Sequence, residues 1–354
     1  MTINISRMKI RAFVSGAMLM APLFSWSQGI ANPSDEVIVR AELCRQVKFK
    51  TAIPAGDYSG ITRVGDDTYA LVSDKTPEDG FFLFRLSIDR RTGRLTEAVN
   101  LGFRSSGLPN RDTEGIVFVP SDSSLFVSGE ADNEVLEYNM QGRRTGRRLN
   151  VPPYMKNAQR NRGLEALAYH FPTATFWTTT ENALPADVLS GNDGAQLLRL
   201  LSFDKHMNQT SQYIYKTDGW NVKKKGKLHL LGVSALTALD DGRLLVLERE
   251  IFMGKRKIGS WVKCNIYLVK PAKTHETTGT ISPQPLTKTH LCGWKTRMNL
   301  LHQDFANYEG MCLGPRLDDG RQVLILVADS QHQYGGLLRD WFKTIILNGV
   351  NEDL

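Results

Sequence analysis

Three glutamates recur in one local setting. Glu114-Gly115-Ile116-Val117, Glu165-Ala166-Leu167-Ala168 and Glu309-Gly310-Met311-Cys312 each place a carboxylate at the head of a short apolar run. Two further copies carry serine there, in Ser59-Gly60-Ile61 and Ser234-Ala235-Leu236. Each run is followed, after a turn, by a second apolar run that ends in an acid: Asp74, Glu130, Glu181, Glu248 and Asp329. Carboxylates gathered without histidine or thiolate suit a hard cation with oxygen ligands, calcium or another divalent ion. Held in pairs, they also suit general acid–base work. Arg63, Arg111, Arg162 and Arg249 stand close to these acids. A guanidinium such as Arg162 or Arg249 either holds a phosphate or carboxylate as a planar fork or balances the ring of acids.

The elements that must position these groups are short strands. From residue 41 onward the chain shows runs of β-branched and aromatic residues broken by turn chemistry, with almost no 3.6-residue periodicity. Gly65-Asp66-Asp67, Ser121-Asp122-Ser123, Asp240-Asp241-Gly242 and Asp318-Asp319-Gly320 separate the first and second strands of four copies. Glycine after aspartate supports a tight hairpin because it accepts a positive φ. Two outer strands follow in four of the copies, at residues 81–86 and 95–101, 134–138 and 146–151, 196–201 and 211–215, and 265–269 and 285–289. After Asp329 only residues 341–347 read as an outer strand. Residues 47–53 are expected to supply the missing one, which removes an open sheet edge.

Four-stranded units at this spacing predict an all-β fold, a β-propeller of five blades with a sixth left open, in one domain over residues 28–354. The first strand of each blade lines the channel of a propeller. Glu114, Glu165 and Glu309 are therefore expected around one mouth, with Ser59 and Ser234 completing the ring. Antiparallel pairing brings Glu130 toward Glu114 and Glu181 toward Glu165. Arg249 is expected to point away from its flanking acids Glu248 and Glu250, because a strand alternates faces. The stretches after Glu181 and after Asp329, the second carrying His332, overhang the same mouth.

The chain has 354 residues, 41% of them hydrophobic, enough for a large core. Arg7, Lys9 and Arg11 precede an apolar run over residues 12–26 that ends in Ser25-Trp26-Ser27. This is the pattern of a signal peptide over residues 1–27, which predicts a secreted or periplasmic protein. The run is short for a bilayer span and contains Ser15, Gly16 and Pro22. Loss of those three basic residues takes the formal charge from +7 to +4. The one dense basic cluster, Lys223-Lys224-Lys225-Gly226-Lys227, has no interleaved aromatics and reads as a solvated loop, so no nucleic-acid partner is expected. A monomer without a membrane span, acting on a small anionic or ester substrate, is the expectation. Cys44, Cys264, Cys292 and Cys312 either pair as Cys264 with Cys292 and Cys44 with Cys312, or remain free buried thiols; their spacing does not decide. The sequence contains no G-x-S-x-G, no phosphate-binding P-loop and no H-E-x-x-H.

Asp112-Thr113-Glu114-Gly115-Ile116, Asn161-Arg162-Gly163-Leu164-Glu165-Ala166-Leu167, Leu244-Leu245-Val246-Leu247-Glu248-Arg249-Glu250 and Asn307-Tyr308-Glu309-Gly310-Met311, in this order, resemble the exported "esterase-like activity of phytase" domain family. The resemblance covers residues 58–347. It implies a β-propeller, export, and a phosphoester or carboxyl-ester substrate. The chain lacks the histidine-rich motif of the acid phosphatase-type phytases and the calcium-ligand strings of the alkaline propeller phytases. Two functions fit these residues. In the first, the protein is a cation-dependent hydrolase in which Glu114, Glu165, Glu309 and Asp329 hold the ion, Glu130 or Glu181 activates water, and Arg162 or Arg249 holds the anionic group. In the second, a non-catalytic propeller binds a glycan, peptide or envelope partner through the same face.

Overall fold

Some segments of this chain are apolar on both sides. Ser124–Gly129 and Gln322–Asp329 are buried along their whole length. A strand of that kind needs a sheet packed on each face. A ring of radially arranged sheets meets that need for every blade at once. The computed structural model describes residues 39–49, 52–190, 193–221, 226–255, 259–273, 276, 284–298, 304–331, 333 and 338–350. These fall within one compact unit, Ile38–Leu354. The signal-peptide reading, Lys223 to Lys225 and His332 lie outside the described residues.

The described chain is all-β, with two short 3₁₀ turns at Pro153–Asn157 and Pro185–Asp187. It begins with β1 (Arg40–Leu43) and β2 (Val47–Lys48). The first blade is β3 (Tyr58–Arg63), β4 (Thr68–Ser73), β5 (Glu78–Ile88) and β6 (Leu95–Pro109). The second is β7 (Thr113–Val119), β8 (Ser124–Gly129), β9 (Glu134–Asn139) and β10 (Arg144–Arg148). The third is β11 (Leu164–His170), β12 (Thr175–Thr180), β13 (Leu197–Phe203) and β14 (Gln209–Lys216). The fourth is β15 (Leu228–Ala238), β16 (Leu244–Met253), β17 (Ser260–Val269) and β18 (Lys288–Met298). The fifth is β19 (Asn307–Arg316), β20 (Gln322–Asp329) and β21 (Trp341–Asn348).

Each blade is an antiparallel meander, and β1 and β2 both pair with β21 to complete the fifth. The closing strand therefore begins earlier than residues 47–53: Arg40 lies opposite Asn348, and among the described residues of the expected segment Val47 and Lys48 join the ladder. The fourth strand of blade four also differs, running from Lys288 rather than over residues 285–289. Polar and charged positions such as Lys295 and Arg297 alternate along its outer half, which hides the strand from a search for apolar runs.

The hydrophobic core is five separate clusters, and each one fills the space between two neighbouring blades. The cluster holding Tyr58, Phe84, Ile325 and Phe342 joins blades one and five, so the ring is closed. At roughly 1.5–3 kcal/mol per fully buried large apolar side chain, these contacts dominate the fold's stability. The hairpins between first and second strands carry the expected positive φ at Gly242 (82°) and Gly320 (85°). All four cysteines are free thiols, and Cys264, Cys292 and Cys312 are buried. Burial pushes the thiol of Cys264 up to about 12 and that of Cys292 to about 11, so both are inert core groups.

Candidate functional site

The first strand of every blade breaks register near its head. The ladder skips a residue between Tyr58 and Gly60, Leu164 and Ala166, Val233 and Ala235, and Tyr308 and Gly310, and it shifts between Thr113 and Ile116. These are β-bulges, and the residues at them are Ser59, Glu165, Ser234, Glu309 and Glu114. A bulge re-aims a side chain that a regular pleat would direct elsewhere. The residue that follows is glycine or alanine in all five blades: Gly60, Gly115, Ala166, Ala235 and Gly310. A Cβ on Gly60 would stand 2.3 Å from the Glu114 carbonyl oxygen, and one on Gly115 2.9 Å from that of Glu165. The first strands pack too closely at the axis for anything larger.

Two residues beyond each bulge come Ile61, Ile116, Leu167, Leu236 and Met311, all buried. They close the channel beneath the acids. The space between the two layers is about 10 Å³, room for about one water. The acids thus line a cup with a hydrophobic floor, which explains how little water reaches them.

The pairs just before the bulges are Tyr58 with Ser73, Thr113 with Gly129, Leu164 with Thr180, Val233 with Glu248, and Tyr308 with Ala328. One step further along the second strands stand Asp74, Glu130, Glu181, Arg249 and Asp329. The member contributed by blade four is therefore Arg249 and not Glu248, which corrects the sequence assignment by one register position. Glu248 faces the other side of β16, where it accepts from the Tyr215 hydroxyl at 2.6 Å, the Asp218 N–H at 3.0 Å and Lys288 at 2.6 Å. Arg249 does point away from Glu248 and Glu250, as alternation requires. It stands in the place where four blades carry an acid.

Arg249 is 4% exposed and bridges two blades. One arm reaches Glu181 at 2.5 Å, and the other pairs with Glu309 and donates to Asn307 Oδ1 at 3.0 Å. Burial acts against its charge, but Glu309, Glu181 and Glu165 together hold the guanidinium above its ordinary range. Asn307 in turn donates to Glu309 at 2.8 Å and to Asp329 at 3.2 Å. Neither Asn307 nor Asp57 stands out in the sequence as a site residue. Their one signal is position, two residues before Glu309 and Ser59.

The remaining acids fall into two groups. Oxygens of Glu130, Glu165 and Glu181 all lie within 4.8 Å of one another, as do those of Asp57, Asp74 and Asp329. Glu130 leans toward the next blade, where Oε1 accepts the Gly163 N–H at 3.0 Å; it joins Glu165 and Glu181 rather than pairing with Glu114 alone. Gly163 leaves room for this, since a Cβ there would lie 3.1 Å from Glu130 Cγ. Glu181 is held by Arg249 and by Arg162. Asp329 belongs to the second group, accepting from the Gln331 N–H at 2.7 Å. Ser59 and Ser234 donate to backbone carbonyls, of Asp57 at 3.4 Å and Tyr308 at 3.2 Å.

Glu114 and Glu165 are 7% and 6% exposed, and among the described residues no donor hydrogen-bonds to either carboxylate. Burial pushes both well above the ordinary carboxylate range, and neighbouring acids add to it: Glu165 and Glu309 for Glu114, Glu181 and Glu309 for Glu165. Burial likewise raises Glu309 against the pull of Arg249. Asp74 is pushed up to about 7 by burial and by Asp329, although Lys75 pairs with it at 2.5 Å. Such a cup binds a proton or a cation with oxygen preference. The Glu130–Glu165–Glu181 group fits a divalent ion on its donor chemistry, three carboxylates of which Glu165 accepts no hydrogen bond among the described residues.

The family model described as phytase-like, esterase-like activity of phytase, matches residues 53–332. No curated protein matches the chain. Among solved structures the chain is similar to a streptogramin B lyase, at 13% identity and TM-score 0.36 over 88% of this chain and 98% of that one. It is also similar to a chain of a nidogen/laminin complex, at 12% identity and TM-score 0.37 over 85% and 88%. A third is the hydrazine synthase of Kuenenia stuttgartiensis, at 11% identity and TM-score 0.35 over 82% and 81%. Likeness at that level carries nothing about the site.

Proposed function

The chain belongs to the phytase-like family described as esterase-like activity of phytase, and on that premise we propose that it is an exported, divalent-cation-dependent hydrolase of phosphoester or carboxyl-ester substrates. The observation that carries this reading is Glu165: a carboxylate 6% exposed, without a hydrogen-bond donor among the described residues, and grouped with Glu130 and Glu181. A buried carboxylate so placed calls for a positive partner. Arg7, Lys9, Arg11 and the apolar run after them support export.

Glu165 and Glu181 would hold the ion, which supplies charge neutralisation at a phosphoryl or carbonyl oxygen and a more acidic bound water. Glu130 is the most exposed of the three and faces the mouth. Its second oxygen is left to take a proton from the attacking water. The Arg162 side chain is 24% exposed and spends one arm on Glu181, so its remaining N–H groups can hold an anionic substrate group. Arg249 has both arms engaged, which makes it a positioning residue that keeps Glu181 and Glu309 in place. The neck beneath the acids is too narrow for a substrate, so the reacting bond must stay at the mouth.

The test is Glu165→Gln, assayed on chromogenic phosphate and carboxyl-ester substrates with calcium, magnesium or manganese and with a chelator. The wild type should need the cation, and the variant should lose about a hundredfold or more in turnover, the scale of removing one transition-state electrostatic contact. The variant's melting temperature in chelator should hold, because glutamine keeps the shape of the protonated glutamate that burial favours. Equal turnover in wild type and variant overturns the assignment. A wild type inactive on every substrate with every ion makes the mouth a binding surface instead.

A further inference from the structure

The channel has a second end, and it is chemically unlike the first. Below the aliphatic floor the channel opens into a cavity of about 150 Å³. The five floor side chains form its roof, and Arg63, Phe118, Tyr169, Ala238 and Leu313 line it four residues beyond the bulges. Alternation along the first strands builds this layer just as it builds the acid ring. No carboxylate of the acid ring lines this cavity.

Arg63 is the group that gives the cavity a preference. It donates to backbone carbonyls alone: Nε to Gly65 at 2.9 Å and Asp66 at 3.3 Å, one terminal nitrogen to Asp66 at 2.8 Å, the other to Gly314 at 3.4 Å. Among the described residues no carboxylate lies within ion-pairing distance of it. Two of the aspartates in the hairpins on this side have arginine partners of their own: Asp241 pairs with Arg243 at 2.5 Å and Asp319 with Arg321 at 2.7 Å. A guanidinium has five N–H donors, and these bonds leave about two of them for a ligand.

We propose that the lower end of the channel binds a small organic carboxylate, its ring-sized apolar part against the aliphatic roof and its carboxylate on Arg63. The size follows from the volume, since roughly 150 Å³ is the room a molecule the size of benzene takes, with an aliphatic roof on one side and Thr62, Arg63 and Thr237 supplying polar groups. The charge follows from Arg63. A charge-assisted hydrogen bond gives the head group its hold, and the roof excludes water from the ring.

The test uses the full chain and benzoate as probe, with binding followed by calorimetry and by ligand-observed NMR. Benzoate should bind saturably, and the neutral isostere benzamide about tenfold or more weaker, the worth of one charge-assisted bond. Arg63→Gln should weaken benzoate by a similar factor. Ala238→Phe, which fills the cavity and leaves the Arg63 side chain in the protein, should abolish binding. Absence of saturable binding to the wild type overturns the proposal, as does equal binding of benzamide. Unchanged binding in Ala238→Phe overturns it even where Arg63→Gln fails to fold. Ester or phosphoester turnover at the upper mouth should be unaffected by Ala238→Phe, so failure here and failure of the hydrolase reading are read separately.

Discussion

Arg249 decides the character of the acidic mouth. Its side chain is buried between Glu181 of blade three and Glu309 of blade five, the two neighbours of its own blade, and it neutralises both. Removing one partner of a buried ion pair leaves the other charge desolvated and alone, which costs about 3–5 kcal/mol. Arg249→Leu should therefore destabilise the protein by about that amount in chemical denaturation. Adding Glu181→Gln and Glu309→Gln to the same chain should recover most of it, because the orphaned charges go with the arginine. A single variant as stable as the wild type would show that the two glutamates need no guanidinium.

The element that aims the acids is the bulge at the head of each first strand. It works only if the strands come close enough at the axis, and the glycine or alanine after each bulge permits that. At Gly60 an added Cβ would lie 2.3 Å from the Glu114 carbonyl oxygen and 2.9 Å from Val72 Cγ2. The first contact is with the neighbouring blade's backbone, which cannot rotate aside. Gly60→Ala should destabilise by about 1–3 kcal/mol in urea, the range for overpacking a tight site. A midpoint unchanged within error would mean that the first strands are not in the close contact described.

Across the whole molecule, the cup couples folding to pH. Asp74 titrates at about 7 in the folded protein against an ordinary 3.8, because burial and Asp329 disfavour its charge. The folded state therefore holds this proton more tightly than the unfolded chain does. The stability this contributes is complete below about pH 4 and is lost as the pH rises through about 7. Glu114, Glu165 and Asp329, all pushed upward by burial first, act in the same direction. In chelator, the melting temperature should fall between about pH 4 and 8, and Asp74→Asn should flatten part of that fall. A melting temperature that rises over this window would contradict the burial of the acids. A divalent ion at the mouth should offset the loss, since it stabilises the charged form.

Much of this was legible in the chain. The five repeats, the propeller, the closing N-terminal strand and the ring positions of Glu114, Glu165 and Glu309 all follow from local facts. A strand alternates with period two, a hairpin needs glycine or aspartate at its turn, and an unfilled blade leaves an edge that must be covered. Register was not legible. Glu248-Arg249-Glu250 offers two acids and one base within three residues, and only the pairing of Val233 with Glu248 puts the arginine in the ring. A shift of one residue turns a side chain to the opposite face, and no composition or spacing reports it. Asp57 and Asn307 escaped for a related reason: their roles come from the second strand lying opposite them, where Asp74 donates its N–H to the Asp57 carbonyl at 3.3 Å. The sequence by itself determined which residues can carry charge at the mouth. The tertiary structure alone decided which of them share a site, because that depends on how neighbouring blades pack across the axis.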